Sequence, residues 1–205
     1  MRRPITKVDL AETNIEEARH CNVTGPGVLA RACAAAHVPL LHMSTDYVFH
    51  GRKEGAYLES DGVDPLSVYG RTKAAREQAV RGVLERHVIL RTAWVYSEFG
   101  HNFLKTILRV AASRTEVTVV ADQHGTPTSA RELANAILRI APRHSQDEDV
   151  WGTYHFTSDG VTTWHGFACR VVAGCAEVAS GRRPSRWHRS REPETRSWRY
   201  PNQSW

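Results

Sequence analysis

Short apolar runs alternate with helical patterns along most of the chain, and this alternation is what most restricts the fold. The apolar runs are VPLLHMS at 38–44, HVILRTAWVYS at 87–97 and VTVVA at 117–121, with a further short strand, GTYHFTS, at 152–158. Helical patterns cover 14–36, 68–85, 101–114, 129–141 and 162–179. Strands that alternate with helices favour a parallel sheet covered by helices. The sequence therefore predicts an α/β fold.

The net charge of +5 comes from one segment at the end of the sequence. Residues 182–199 hold seven arginines against Glu192 and Glu194, and the rest of the chain is balanced. The residues outside this segment therefore show no excess of basic side chains that would indicate nucleic-acid binding. Residues 181–205 contain no aliphatic side chain, so we expect a disordered basic tail. The abrupt change of composition after Ala179 suggests a shifted reading frame.

Little in the sequence points to a membrane, a secretory route or a metal. No apolar run approaches the roughly 18 residues of a membrane span, and the start has no signal-peptide pattern. The histidines show no HxxxH or HExxH spacing, so no metal site is expected. The four cysteines form no CxxC pair and are interpreted as buried, reduced thiols of a cytoplasmic protein. They are Cys21, Cys33, Cys169 and Cys175.

Two polar motifs, STDYVF at 44–49 and VYGRTK at 68–73, follow the first strand. Tyr69 and Lys73 are four apart on a predicted helix and so share one face. A nearby ammonium lowers the pKa of a phenol and eases proton transfer. Alone, this spacing also fits a surface pair. However, Thr45 ends a strand and Tyr69 opens the next helix, and ligands bind at the carboxyl ends of parallel strands. Thr45 and Tyr69 are therefore predicted to hold one carbonyl oxygen.

These motifs, with LRTAWVYS, NFLKTILR, DQHGTPTSARELA and GTYHF in that order, resemble the dTDP-4-dehydrorhamnose reductase family of extended short-chain dehydrogenase/reductases. The resemblance covers about residues 6–173. It implies a Rossmann-like doubly wound parallel sheet that lacks its first strands. Residues 1–100 would form a partial NAD(P)-binding domain, and 101–180 a smaller substrate-binding region.

The resemblance also implies roles for individual residues. Tyr69 would donate a proton to the C4 keto oxygen of a dTDP-sugar, and Lys73 would bind the nicotinamide ribose and lower the Tyr69 pKa. Thr45 would bind the same oxygen, with Asp46 beside it at the sugar. The cofactor would be NADPH or NADH, the product dTDP-L-rhamnose, and the assembly a homodimer.

Further contacts are implied for residues that follow the second strand. Thr92 and Val95 would lie near the nicotinamide, and Trp94 would pack against the deoxysugar. DQHGTPT at 122–128 would help to form the nucleotide-sugar pocket. Trp94 also fits a core aromatic, and Asp46 also fits a turn cap. Arg109 and Arg131 fit solvated helix residues better than diphosphate ligands.

Two other functions stay open at this point. One is a non-catalytic binding subunit that keeps the reductase fold. Retention of Thr45, Tyr69 and Lys73 together speaks against it, because a binding module does not need all three. The other is a related nucleotide-sugar epimerase or dehydratase, which would share the YxxxK motif. His50, where the family has Asp, puts one loop contact with the sugar in doubt.

The sequence contains no GxxGxxG, the Gly-rich turn that brings backbone N–H groups to a dinucleotide pyrophosphate. GPG at 25–27 lies inside a helical pattern and follows no strand. About sixty residues that carry this turn in the family have no counterpart here. We therefore expect this chain to depend on a phosphate-binding site that it does not itself contain.

We predict that the 205-residue chain binds NADPH weakly. Contacts from Tyr69 and Lys73 contribute about 1–3 kcal/mol each, whereas micromolar affinity needs about 8 kcal/mol. Titration with NADPH, followed by calorimetry or fluorescence, measures the affinity. A dissociation constant at or below about 10 μM would contradict the prediction and would mean that another part of the chain binds the phosphates.

Overall fold

The computed structural model describes residues 8–114, 116–143 and 151–179. The N-terminal helices are α1 (Val8–Thr13), α2 (Ile15–Arg19) and α3 (Gly25–Ala35), followed by β1 (Leu40–Thr45). Next come α4 (Val68–Arg81), β2 (His87–Thr92), β3 (Val95–Tyr96) and α5 (Phe103–Ala111). The remaining elements are β4 (His124–Gly125), β5 (Thr128–Ser129), α6 (Ala130–Arg143), β6 (Gly152–His155), β7 (Thr162–Thr163) and α7 (Trp164–Ala179).

A three-stranded parallel sheet in the order β1-β2-β6 forms the centre of the fold. This confirms the predicted α/β class. The runs predicted as strands at 38–44, 87–97 and 152–158 contain most of β1, all of β2 and all of β6, and the second run also contains the short β3. All six residues of β2 are buried, as suits a middle strand. Two small two-stranded sheets, β3-β5 and β4-β7, are built from residues 95–163.

Helices α3 and α4 pack on the central sheet through small and branched side chains. Ala30, Val80, Leu84 and Ile89 form one buried cluster. At Gly27 the two helices are in contact, since a Cβ there would lie 3.6 Å from that of Ala79, an ordinary van der Waals distance.

A π-helical turn at His20–Thr24 joins α2 to α3 directly before Pro26. Proline has no N–H and its ring clashes with the carbonyl four residues earlier, so a wider turn accommodates it. The outer face of α3 leaves Val28 and Leu29 exposed.

Two sequence predictions about the fold are wrong. Residues 117–121 form no strand: Val117 and Val120 are exposed, and the Val120 carbonyl accepts a hydrogen bond from His165 N, which belongs to a helix. Cys169 and Cys175 are exposed rather than buried on α7, and all four cysteines are free thiols. The predicted disordered tail at 181–205 lies outside the described residues.

Gly70 gives a test of how closely α4 packs on the residues after β1. A Cβ at Gly70 would lie 2.2 Å from the Tyr47 carbonyl oxygen and 2.9 Å from Pro65 Cβ. We expect Gly70→Ala to lower the free energy of unfolding by about 1–3 kcal/mol, because backbone must move. Urea unfolding measures the change.

Gly174→Ala is the matched control. Gly174 lies inside α7, and nothing lies within 4 Å of its Cβ position. Replacement there should stabilise the chain by up to about 1 kcal/mol. Equal effects at Gly174 and Gly70 would contradict the packing described for α4.

Candidate active site

Two hydroxyl residues end neighbouring strands of the central sheet. Thr45 ends β1 and Thr92 ends β2, and the two are partners in the parallel register. Both are buried. Thr92 Oγ1 has no hydrogen-bond partner among the described residues, although it is shielded from solvent. The carboxyl edge of the sheet therefore presents two adjacent hydroxyl groups, one of them available to a ligand.

The chain turns sharply after Thr45. Its Oγ1 donates to Asp46 Oδ1 at 2.8 Å and accepts from Tyr47 N at 3.3 Å, which starts a 3₁₀ turn at Asp46–Val48. Asp46 is only 3% exposed. The structure therefore places Asp46 in the turn and beside the Thr45 hydroxyl, so both readings of this residue stay open.

Tyr69 and Lys73 lie on the first turns of α4. Ser67 caps this helix, its Oγ accepting from Gly70 N at 3.0 Å. Both site residues are buried, and Lys73 Nζ lies 5.5 Å from the centre of the Tyr69 ring. The Tyr47 ring packs edge-on against Tyr69 at 5.5 Å. The pair is thus part of the interior and is not the exposed pair that the spacing also allowed.

The ionisation of this pair differs from the expectation. Burial raises the pKa of Tyr69, and Asp46 and Tyr47 act in the same direction, while Arg76 and a hydrogen bond with Thr45 oppose it. The expected lowering of the Tyr69 pKa by Lys73 is therefore not seen. Burial, and then Arg76, lowers the pKa of Lys73 to about 7, and Glu77 opposes this shift. Because burial makes the Lys73 side chain costly to protonate, it is a weak source of positive potential for Tyr69.

Arg76 and His42 complete the charged surroundings of Lys73, and sequence reasoning missed both. Arg76 is 8% exposed, and its Nε and Nη1 have no hydrogen-bond partner in the described parts of the chain. His42 is buried on β1, and burial, Arg76 and Lys73 together lower its pKa to about 3. Position 76 lies seven residues after Tyr69, two turns along the same helix face, and this spacing is the signal that could have found it.

Glu77 is the other residue that sequence reasoning missed. It lies four residues after Lys73 on α4 and has no exposed surface. Its carboxylate contacts Ser44 and Arg91, which directly precede Thr45 and Thr92. Ser44, which lies beside Thr45 in the polar motif STDYVF, is the sequence feature that could have indicated a buried polar partner.

Trp94 sits in a strained position between β2 and β3. Its backbone has φ +45°, and its ring stacks on Trp164 with centres 3.5 Å apart. Gly125 lies against the indole, where a Cβ would come within 2.4 Å of Cε2. The Nε1 donor is buried and finds no acceptor among the described residues. The structure fixes this ring by Trp164, a partner that no sequence pattern indicated, and its contact with a sugar stays a prediction.

The remaining predicted positions, Val95, Arg131 and Arg109, are exposed and so are not part of the buried group formed by Thr45, Tyr69 and Lys73. Val95 is exposed on β3 and pairs with Thr128, at the end of the DQHGTPT segment. Arg131 forms an exposed ion pair with Glu98 at 2.7 Å, and Arg109 is exposed, as expected of solvated helix residues.

Within residues 8–114, 116–143 and 151–179, no group of three or more His, Cys, Asp or Glu side chains is arranged to hold a metal ion. No helix in these ranges has the length and hydropathy that crossing a membrane requires.

Comparison with known proteins identifies close relatives. The family model described as the RmlD substrate binding domain matches residues 4–199. A dTDP-4-dehydrorhamnose reductase of Sinorhizobium fredii is 45% identical over 175 residues, which is 84% of this chain and 59% of the relative. The Escherichia coli K12 enzyme of the same name is 42% identical over 166 residues, or 81% of this chain and 56% of the relative.

Solved structures give the same result. A dTDP-4-dehydrorhamnose reductase from Clostridium acetobutylicum matches with a TM-score of 0.80 and 35% identity, over 84% of this chain and 60% of that one. The enzyme from Bacillus anthracis, solved in complex with NADP, matches with the same score, identity and coverage. The chain thus spans less than two thirds of the length of these relatives.

The buried ammonium predicts a pH-dependent effect of Lys73→Met on stability. The Lys73 pKa is about 7 in the folded chain, against 10.5 for an ordinary lysine, so between these values the unfolded chain binds more protons. Parental stability should therefore rise with pH across this window, and below it the folded state bears the full cost of the charge. We expect Lys73→Met to stabilise the chain most near pH 6, and this gain to shrink toward pH 10.

Urea unfolding of parent and variant at several pH values measures this difference. Lys105→Met is the control, because Lys105 is exposed on α5. It removes an ammonium from the surface, so the consequence of burial is the difference between the effects of the two variants. A pH-independent effect of Lys73→Met would show that the Lys73 ammonium is not desolvated.

Proposed function

The chain belongs to the RmlD substrate binding domain family, and from that premise we propose that it carries the proton-donating and sugar-binding residues of an NAD(P)H-dependent dTDP-4-dehydrorhamnose reductase. The reaction proposed is reduction of the C4 keto group of dTDP-4-dehydro-L-rhamnose to give dTDP-L-rhamnose. Curated relatives at 40–45% identity carry the reductase name. Because the chain spans 56–59% of their length, the activity is proposed for the assembled enzyme.

One observation carries the proposal. Thr45, Tyr69 and Lys73 lie together and buried where β1 ends and α4 begins. Lys73 Nζ is 5.5 Å from the Tyr69 ring centre, and a hydrogen bond with Thr45 contributes to the Tyr69 pKa. A hydroxyl and a phenol that meet at a strand end suit a carbonyl oxygen on which negative charge develops.

Tyr69 is the proton donor in the proposed reaction. Burial raises the pKa of its phenol, so the phenol is protonated at neutral pH. It would release this proton only to a stronger base, such as the alkoxide that forms when hydride reaches the C4 carbon. The Thr45 hydroxyl, which donates to Asp46 in this structure, would turn to the keto oxygen when the sugar is bound. The two donors would then stabilise the charge that forms on that oxygen, and Tyr69 would complete the step by releasing its proton to it.

The residues present fit the nicotinamide end of the cofactor. Thr92 Oγ1 is buried without a partner in the described residues, and Lys73 is a buried group with three N–H donors. We propose that Lys73 holds the nicotinamide ribose and that Thr92, with Val95, lies near the ring. When bound, NAD(P)H supplies a hydride to the C4 carbon. The phosphate end has no matching Gly-rich turn in this sequence.

Residues from both parts of the chain would form the sugar pocket. Trp94 has a buried, unused Nε1 donor, and Asp46 lies buried next to Thr45. We propose that these two side chains line the deoxysugar and that residues 122–128 contribute to the nucleotide part. Residues 1–100 then act as the partial cofactor-binding domain and 101–180 as the substrate region. A homodimer and a cytoplasmic location stay predictions.

Tyr69→Phe tests the proposed proton donor. The chain would be fused behind the portion of the Sinorhizobium fredii reductase that it does not match, and the chimera assayed with NADPH and dTDP-4-dehydro-L-rhamnose. We expect kcat to fall about 10²-fold or more, because the phenol proton is lost while the ring keeps its packing. Tyr154→Phe is the control, since Tyr154 is 39% exposed on β6.

Product analysis of the parent chimera separates the alternatives. Stoichiometric NADPH oxidation with formation of dTDP-L-rhamnose supports the reductase, whereas an isomerised or dehydrated sugar would indicate an epimerase or dehydratase. A folded chimera that binds the sugar without turnover would indicate a binding subunit. Activity of Tyr69→Phe within about threefold of the parent would remove Tyr69 from the proposed role.

A further inference from the structure

The carboxylate of Glu77 is completely buried and fully engaged. Its Oε1 accepts from Ser44 Oγ at 2.5 Å and from Arg91 Nε at 3.0 Å. Its Oε2 accepts from Arg91 Nη2 at 2.7 Å and from Arg81 Nη2 at 2.6 Å. Burial alone would raise the pKa of Glu77, but the bonds from Arg91 and Ser44 bring it below its ordinary value. Glu77 is therefore an anion.

These contacts join three elements at the candidate active site. Ser44 and Arg91 are register partners on β1 and β2, and each directly precedes one of the two terminal threonines. Glu77 lies on α4, one turn after Lys73 and two turns after Tyr69. One carboxylate thus bonds the site helix to the last residues of both strands.

Arg91 is itself held in place, so the link is rigid. Its Nε and Nη2 meet the two oxygens of Glu77 in the two-bond geometry that fixes both partners. Its Nη1 lies 3.3 Å from His155 Nε2 on β6, and its guanidinium stacks 4.9 Å from the centre of the Phe49 ring. All three strands of the central sheet therefore take part in positioning α4.

We propose that Glu77 is a positioning residue of this site: it fixes the helix that carries Tyr69 and Lys73 against the strand ends that carry Thr45 and Thr92. The assignment of these four residues to catalysis and cofactor binding rests on the proposed function. The positioning itself concerns the geometry of the folded chain and can be measured without any reaction.

Stability alone is a poor explanation of such a network. A buried ion pair contributes little compared with well-packed apolar side chains of similar volume, because both charges lose their hydration. The network does fix the orientation of α4, because all of its hydrogen bonds can form in only one register of the helix against β1 and β2. Glu77 also raises the pKa of Lys73, against burial and Arg76. The titratable groups around Lys73 are Tyr69, Arg76 and Glu77 on α4 and His42 on β1.

The experiment compares three variants of the 205-residue chain by NMR. Glu77→Gln removes the charge at constant size, and Ser44→Ala removes only the bond to β1. Val80→Ala is the control, because Val80 is fully buried on the same helix but has no part in the network. The first measurement is the nuclear Overhauser contact between the Thr45 methyl group and the Tyr69 ring. The second is the pH titration of the Lys73 side chain, assigned with Lys73→Met.

We expect Glu77→Gln to lose the Thr45–Tyr69 contact and to titrate Lys73 at lower pH than the parent does. Val80→Ala should keep both, even though it lowers stability. Retention of the contact and of the parental titration in Glu77→Gln, or their equal change in Val80→Ala, overturns the proposal. If Glu77→Gln does not fold, Ser44→Ala decides: loss of the contact supports the positioning role and its retention overturns it.

Kinetics in the chimera keep this test separate from the proposed reaction. If the parent chimera is a reductase, Glu77→Gln should lower kcat by about tenfold or more while KM changes less than about threefold, as expected when reacting groups are misplaced. If the parent chimera is inactive, the proposed function fails, and the NMR measurements still decide the positioning role.

Discussion

The ion pair between Glu77 and Arg91 is the interaction on which the arrangement of the site depends. Both side chains are buried, with 1% and 3% of their surface exposed. Loss of one partner from a buried pair costs about 3–5 kcal/mol, because the other charge is left without compensation. The pair forms only when α4 lies at one height along β1 and β2, since Ser44 must reach the same carboxylate. The position of α4 and the compensation of the two buried charges are therefore coupled.

This coupling explains how burial can be tolerated along one helix face. Four ionisable residues of α4, namely Tyr69, Lys73, Arg76 and Glu77, are at most 8% exposed. Burial alone shifts each of them toward its neutral form. Tyr69 and Lys73 follow this tendency, and Glu77 does not, because Arg91 and Ser44 bond to its charged form. The helix therefore combines a fixed anion, Glu77, with a protonated phenol, Tyr69, and a lysine whose pKa of about 7 lies near neutrality.

The sequence predicted the meeting of Thr45 and Tyr69, and the reason is local. Thr45 ends β1 and Tyr69 lies at the start of α4, the next long helix, so both residues face the same edge of the parallel sheet. Glu77 and Arg91 were not predicted, because they lie fourteen residues apart on two different elements and charge pairing has no periodicity. The apolar run at 117–121 predicted a strand that is absent, since apolar pattern alone does not supply a neighbouring strand to pair with.

Trp94 has an unfavourable backbone conformation that contacts with distant residues hold in place. A bulky residue at φ +45° costs free energy, and it persists only where surrounding contacts fix it. Here Gly125 leaves room for the indole and Trp164 stacks on it, although these residues lie 31 and 70 positions further along the chain. Strained residues gather at functional sites because packing for function overrides backbone preference. The strain at Trp94, two residues after Thr92, therefore supports the proposal that the site extends from the buried residues of α4 toward Gly125 and Trp164.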